Sequence, residues 1–64
     1  MMESVTDIEV QVHFRTDRAI LISATGDEAD AVWIPLSSCE VEMRTGGTAI
    51  VTLPEHLAID RGLV

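Results

Sequence analysis

From Ile8 to Arg15 the chain alternates apolar and polar residues without a break. Ile8, Val10, Val12 and Phe14 hold one parity, and Glu9, Gln11, His13 and Arg15 hold the other. A period of two predicts a strand with one face in a core and one in water. Thr16-Asp17-Arg18 is a turn, and the apolar run Ala19-Ile20-Leu21-Ile22-Ser23 predicts a central strand covered on both faces. Gly26 beside Asp27 marks a hairpin loop, after which Ala31-Val32-Trp33-Ile34-Pro35-Leu36 forms the next strand. Pro35 has no N–H for a ladder, so it belongs at a strand end, an edge or a bulge. Residues 39–43 alternate again, with Cys39, Val41 and Met43 opposed to Glu40 and Glu42. Gly46-Gly47 predicts a tight hairpin turn into a last strand over 49–53.

At Pro54 the period changes. Proline suits the first position of a helix, Glu55 complements the helix dipole, and Gly62 is a natural residue just past the end, with Leu63 folding back. The fold class predicted is mainly β with one helix. It is either a five-stranded antiparallel meander or an SH3-like, partly open barrel, closed by a short C-terminal helix. Residues 1–64 make one small domain, with 1–6 expected as a frayed N-terminus.

Trp33 poses the sharpest question of placement. Strand parity sets Val32, Ile34 and Leu36 on one face and Ala31, Trp33 and Pro35 on the other. The aliphatic trio is the natural core set, so the indole needs another cover. The expected cover is the C-terminal helix, through Leu57 and Pro54. A subunit interface and a free binding surface are the alternatives.

Composition narrows the function. The 64 residues carry a formal charge of −7, with 11 acids and only four basic residues, all arginine. Binding to nucleic-acid phosphates needs a basic footprint, so direct nucleic-acid binding is not expected, nor is binding to an anionic membrane. No apolar run reaches the roughly 20 residues of a membrane span, and the N-terminus does not read as a signal peptide. Cys39 is the lone cysteine. A single thiol suits a reducing cytoplasm, which is the expected location. A core this small, without a disulfide or metal and with exposed strand edges, predicts a homodimer or larger homo-oligomer.

His13, His56 and Cys39 show no metal-ligand spacing, and the chain is too short to build an oriented base and an oxyanion pocket around a Cys–His pair, so no metal, cofactor or catalytic residue is predicted. The candidate partner-binding residues are acidic: Asp27, Glu28 and Asp30 in the loop, with Glu40 and Glu42 on the strand that follows, and Glu9 as a further member. They read as a solvated turn or as a face for a basic protein. A second set is Trp33 with Arg15, Arg18, Arg44 and Arg61, which could stack on a small ligand and hold its phosphates.

The stretch Val51–Leu57, VTLPEHL, resembles the strand-to-helix entry of ribbon-helix-helix repressors and of swapped-hairpin antitoxin domains. The first needs a second long helix, and both bind DNA through basic residues that are scarce here. What is shared is helix-start chemistry. Residues 19–64 are similar to small proteins encoded by phages and prophages, through Trp33-Ile34-Pro35, Ser37, Pro54-Glu55, Leu57-Ala58 and Gly62-Leu63. His56 and Leu36 depart from that pattern, where an aromatic and a lysine would stand. The resemblance implies a fold and a genomic setting, that of a phage or mobile-element accessory protein in the host cytoplasm, and no activity. The acidic charge balance and the lack of a catalytic signature lead to the expected function, which is to act by binding and inhibit a host defence protein or nucleoprotein complex through the acidic surface. An oligomeric nucleotide-sequestering protein is the alternative, and a structural module without independent activity is a further one.

Overall fold

The computed structural model describes residues 4–64. Five strands form one open antiparallel sheet: β1 (Val5–Arg15), β2 (Ala19–Ser23), β3 (Val32–Pro35), β4 (Glu40–Met43) and β5 (Thr48–Pro54). The helix α1 (Glu55–Asp60) follows directly. The spatial order is β3-β2-β1-β5-β4. Consecutive strands are neighbours except at one place: the chain passes from one edge strand, β3, to the other, β4. The long β1 holds the two hairpins together, its first half paired with β5 and its second half with β2.

That order forces the sheet to bend. Five flat strands would set β3 and β4 about 19 Å apart at a spacing near 4.8 Å. The chain from Pro35 to Glu40 spans at most about 17 Å fully extended, and it is not extended. Leu36–Ser38 is a 3-10 turn that touches both β2 and β4. The Leu36 N–H donates to the Arg18 carbonyl, tying this turn to the start of β2. The sheet therefore curls around its concave face.

The concave face holds the core. Val10, Ile20, Ile22, Ile34, Ala49, Val51 and Leu53 are buried there, joined by Ala58 of α1 and by Leu63. In β5 the alternation is complete, with Ala49, Val51 and Leu53 inward and Thr48, Ile50 and Thr52 outward. The helix packs on β5 and β1, and its exit follows the expected chemistry. Gly62 takes φ +74°, its N–H donates to the Ile59 carbonyl, and the Leu63 N–H donates to Ala58. This pair of bonds is a Schellman closure, and it folds Leu63 into the core.

Several expectations are corrected. Pro54 is the last residue of β5, paired with Val5, and precedes the first helical turn. Of the segment 1–6, residues 1–3 lie outside the described residues, whereas Val5 and Thr6 are already strand. Phe14 does not face the core with Ile8, Val10 and Val12. The ladder runs Val12↔Ile22 and then Phe14↔Leu21, so His13 is an extra residue in β1. A bulge of one residue moves everything after it to the other face. Phe14 accordingly shares the convex face with Leu21, and is 59% exposed. Nor does α1 cover Trp33. The indole is 45% exposed on the convex face, and the ring against it is Phe14.

Candidate functional site

With the core on the concave side, the convex face of the sheet is the surface on which chemistry-bearing residues gather. It divides into two halves along β1. Around the first half of β1, direct cross-strand partners are Asp7↔Thr52↔Glu40 and Glu9↔Ile50↔Glu42. Asp7, Glu9, Glu40 and Glu42 thus sit at the corners of a patch centred on Ile50 and Thr52 of β5. The two acidic strands are separated by β5, so opposing carboxylates stand about 10 Å apart across it. That spacing avoids the penalty of like charges placed directly opposite each other. The Thr52 hydroxyl donates to Asp7 Oδ1 at 2.6 Å, and Arg44 pairs with Glu42 at 2.9 Å. Both bonds are exposed, so they orient the carboxylates without neutralising the patch as a whole.

Around the second half of β1 the convex face is apolar. Phe14, Leu21 and Trp33 form one cross-strand row over β1, β2 and β3. The Phe14 and Trp33 rings bridge above Leu21, edge to face. Between the halves lie Gln11 and His13. Gln11 Nε2 donates to the Gly47 carbonyl at 3.0 Å, holding the β4–β5 turn against β1.

His13 Nε2 and Ser23 Oγ share a hydrogen bond of 2.7 Å. A serine bonded to a histidine invites a nucleophilic reading. The geometry argues otherwise: Ser23 is fully buried, and its Oγ also accepts the Gly26 N–H at 3.1 Å. The pair anchors the β2–β3 loop. Sequence spacing could not reveal it, because the contact depends on the register between β1 and β2, in which Gln11 pairs with Ser23.

The structure separates the acids that the sequence groups together. Asp27, Glu28 and Asp30 lie in the β2–β3 loop, at the β3 end of the sheet, and Glu40 and Glu42 lie on β4 at the opposite edge. The loop acids are partly occupied in shaping the loop. Asp27 Oδ1 accepts the Ala29 N–H at the start of a 3-10 turn over Glu28–Asp30, and Asp30 Oδ2 accepts the Thr25 hydroxyl. The residues that complete a carboxylate face with Glu40 and Glu42 are Asp7 and Glu9. Their polar parity in β1 was the available signal for them, but the pairing of β1 with β5 was needed to join them to β4.

The arginines are dispersed. Arg44 lies beyond β4, beside Glu42, and Arg61 caps the end of α1. Arg18 is in the β1–β2 turn, at the Pro35 end of β3, and only its position comes near Trp33's strand. Arg15 pairs with Ile20 and its charge is felt by Cys39. Cys39 is half-buried, and its thiol donates to the Pro35 carbonyl at 3.5 Å. Burial pushes this thiol above its ordinary pKa of 9.0, opposed by the Arg15 guanidinium. Among the described residues no three His, Cys, Asp or Glu side chains converge as metal ligands, and no pocket forms. Among the described residues no helix is long and apolar enough to cross a membrane.

Comparisons with protein-family models, with characterised proteins and with solved structures gave no match.

Proposed function

We propose that the protein acts by binding a basic protein surface through the carboxylates on the convex face of its sheet. The observation that carries this reading is the placement of Asp7, Glu9, Glu40 and Glu42 on one face, around Ile50 and Thr52. A rigid β-sheet presents these charges in fixed positions, and an apolar centre inside a charged frame suits an interface with a small dry core and a wet rim. The chain's charge of −7 adds a long-range attraction that speeds encounter with a positively charged partner. The likeness to phage-encoded proteins makes a basic host protein, or the nucleic-acid-binding surface of a host complex, the partner named by this reading. Occupying such a surface inhibits it without any catalytic step.

Reversal of the face tests the proposal. Asp7→Lys, Glu9→Lys, Glu40→Lys and Glu42→Lys are combined in one variant. Asp27→Lys, Glu28→Lys and Asp30→Lys are combined in another. Wild-type protein immobilised at low salt should retain a defined set of basic proteins from host lysate. The face variant should lose them and the loop variant should keep most of them. Retention of the same proteins by the face variant, with its fold intact, would sink the proposal.

A further inference from the structure

The edge of β3 has a geometry of its own. Leu36 N–H donates to the Arg18 carbonyl. This bond is in register with the pairs Ile34↔Ile20 and Val32↔Ile22, which are therefore the closely bonded pairs of the ladder. Trp33↔Leu21 and Pro35↔Ala19 are the intervening pairs, whose backbone groups on β3 point away from β2. Pro35 has no N–H, and its carbonyl accepts the Cys39 thiol. The Ala31 N–H turns back to the Glu28 carbonyl. Trp33 is left as the residue of β3 that offers both an N–H and a C=O to the free edge. Its ring stands on the convex face directly above that edge, packed on Phe14 and partly open to water.

One such residue, flanked by positions that cannot continue a ladder, does not suit a long foreign strand. It suits a two-fold axis. We infer that the occupant of this edge is a second copy of the chain, paired antiparallel with Trp33 opposite Trp33. Each Trp33 N–H would then donate to the Trp33 carbonyl of the other copy, and the two indoles would lie side by side on the convex face. The row Phe14, Leu21, Trp33 becomes a single apolar band across both molecules. A two-fold contact is self-complementary and closes, so it does not propagate into fibres.

Charge supports the same occupant. Antiparallel pairing centred on Trp33 sets Leu36 of one copy opposite Asp30 of the second. The Leu36 N–H is bonded to the Arg18 carbonyl, and Arg18 is exposed in the turn beside it. The loop of the second copy, with Asp27, Glu28 and Asp30, therefore meets the Arg18 end of the first, and the contact occurs twice. Asp17 lies in the same turn and offsets part of this attraction. The other free edge lacks this match. β4 carries Glu40 and Glu42, and pairing two such edges would bring like charges together on chains already at −7 each. The dimer would leave the β4 edge unpaired in both copies, whether or not the acidic faces bind a partner.

The test is the mass in solution and its dependence on edge variants. Light scattering and sedimentation should give a dimer at tens of micromolar protein. Trp33→Lys places a charge at the axis and should weaken association by at least about ten-fold. Because Trp33→Lys could disturb the sheet, a second variant avoids it: Arg18→Glu, at an exposed turn residue, should weaken the dimer as well. Adding Glu28→Arg to Arg18→Glu should restore it. Glu28 is chosen because Asp27 and Asp30 are bonded within the loop. Glu42→Lys on the far edge should leave the dimer unchanged. A monomer mass for the wild type at these concentrations overturns the inference. So does a dimer whose dissociation constant ignores both Trp33→Lys and Arg18→Glu.

Discussion

Phe14 and Trp33 meet edge to face, with ring centroids 6.1 Å apart and planes at 84°, although one strand lies between theirs and both rings remain substantially exposed. The contact exists because of one inserted residue. Without His13 as a bulge, Phe14 would point into the concave core, and Trp33 would stand over Leu21 alone. The bulge thus moves a large apolar side chain out of a core that is filled by Ile20, Ile22 and Ile34. It also builds the apolar half of the convex face.

The first prediction separates this pair from the core. Edge-to-face aromatic pairs contribute about 0.5–1.5 kcal/mol beyond their burial. A double-mutant cycle of Phe14→Ala and Trp33→Ala should return a coupling in that range. Ile34→Ala, one residue from Trp33 but fully buried, should cost about 2–5 kcal/mol, since it opens a cavity in a packed interior. Denaturant unfolding of the five proteins, below the concentration of any self-association, gives the comparison. A loss from Trp33→Ala as large as that from Ile34→Ala would mean that the indole is part of the core after all.

Much of the fold was legible because it is written in local periods. The parity of Ile8, Val10 and Val12, the turn glycines, and the Gly62 exit from the helix all appear in the structure as read. The pattern failed where long-range pairing decides. Phe14 obeys a period of two in sequence, yet a bulge is set by the register between β1 and β2, which no local pattern records. The five antiparallel strands and the short C-terminal helix are those read from the sequence, but which strands neighbour one another was not legible for the same reason. The choice of β5 to pair with β1 rests on their fit over seven residue pairs, and it sends β4 to the far edge. The acidic face followed from that choice. Glu40, Glu42 and Glu9 could be named from their parity, but Asp7 and the strand pairing that joins both β1 acids to β4 could not.

The second prediction concerns the end of the helix. Gly62 holds φ +74°, where a side chain costs about 1–2 kcal/mol, and no heavy atom lies within 4 Å of an added Cβ. Gly62→Ala should therefore destabilise by backbone strain alone, by about 1 kcal/mol. Leu63→Ala should cost more, about 2–3 kcal/mol, because Leu63 is buried against the core. Removal of residues 55–64 strips Ala58 and Leu63 from the core together and should leave a chain that does not fold cooperatively. A truncated chain with a sharp, unshifted thermal transition would show that α1 is dispensable.

The third prediction follows from Cys39. Burial raises its pKa above 9.0, with Arg15 pulling in the opposite direction. The thiol also donates to the Pro35 carbonyl, a bond that only the protonated form can make. The fold therefore prefers the neutral thiol, whereas the unfolded chain ionises at the ordinary value. For an acid whose folded pKa is raised, the stabilising contribution is fully present below the unfolded pKa. It is lost as pH rises from there through the higher folded value. Wild-type stability should fall with pH above 9.0 more steeply than that of Cys39→Ala, which has no thiol to ionise. The gap between them should be constant at lower pH and narrow in alkali. Arg15→Gln removes the opposing charge, so in that background the narrowing should extend to higher pH. Unfolding followed by circular dichroism across this range, with each variant measured in the same buffers, reads the gap directly. If the gap stays constant well above 9.0, the thiol is not held neutral by the fold, and the half-buried placement of Cys39 after the Leu36–Ser38 turn is wrong.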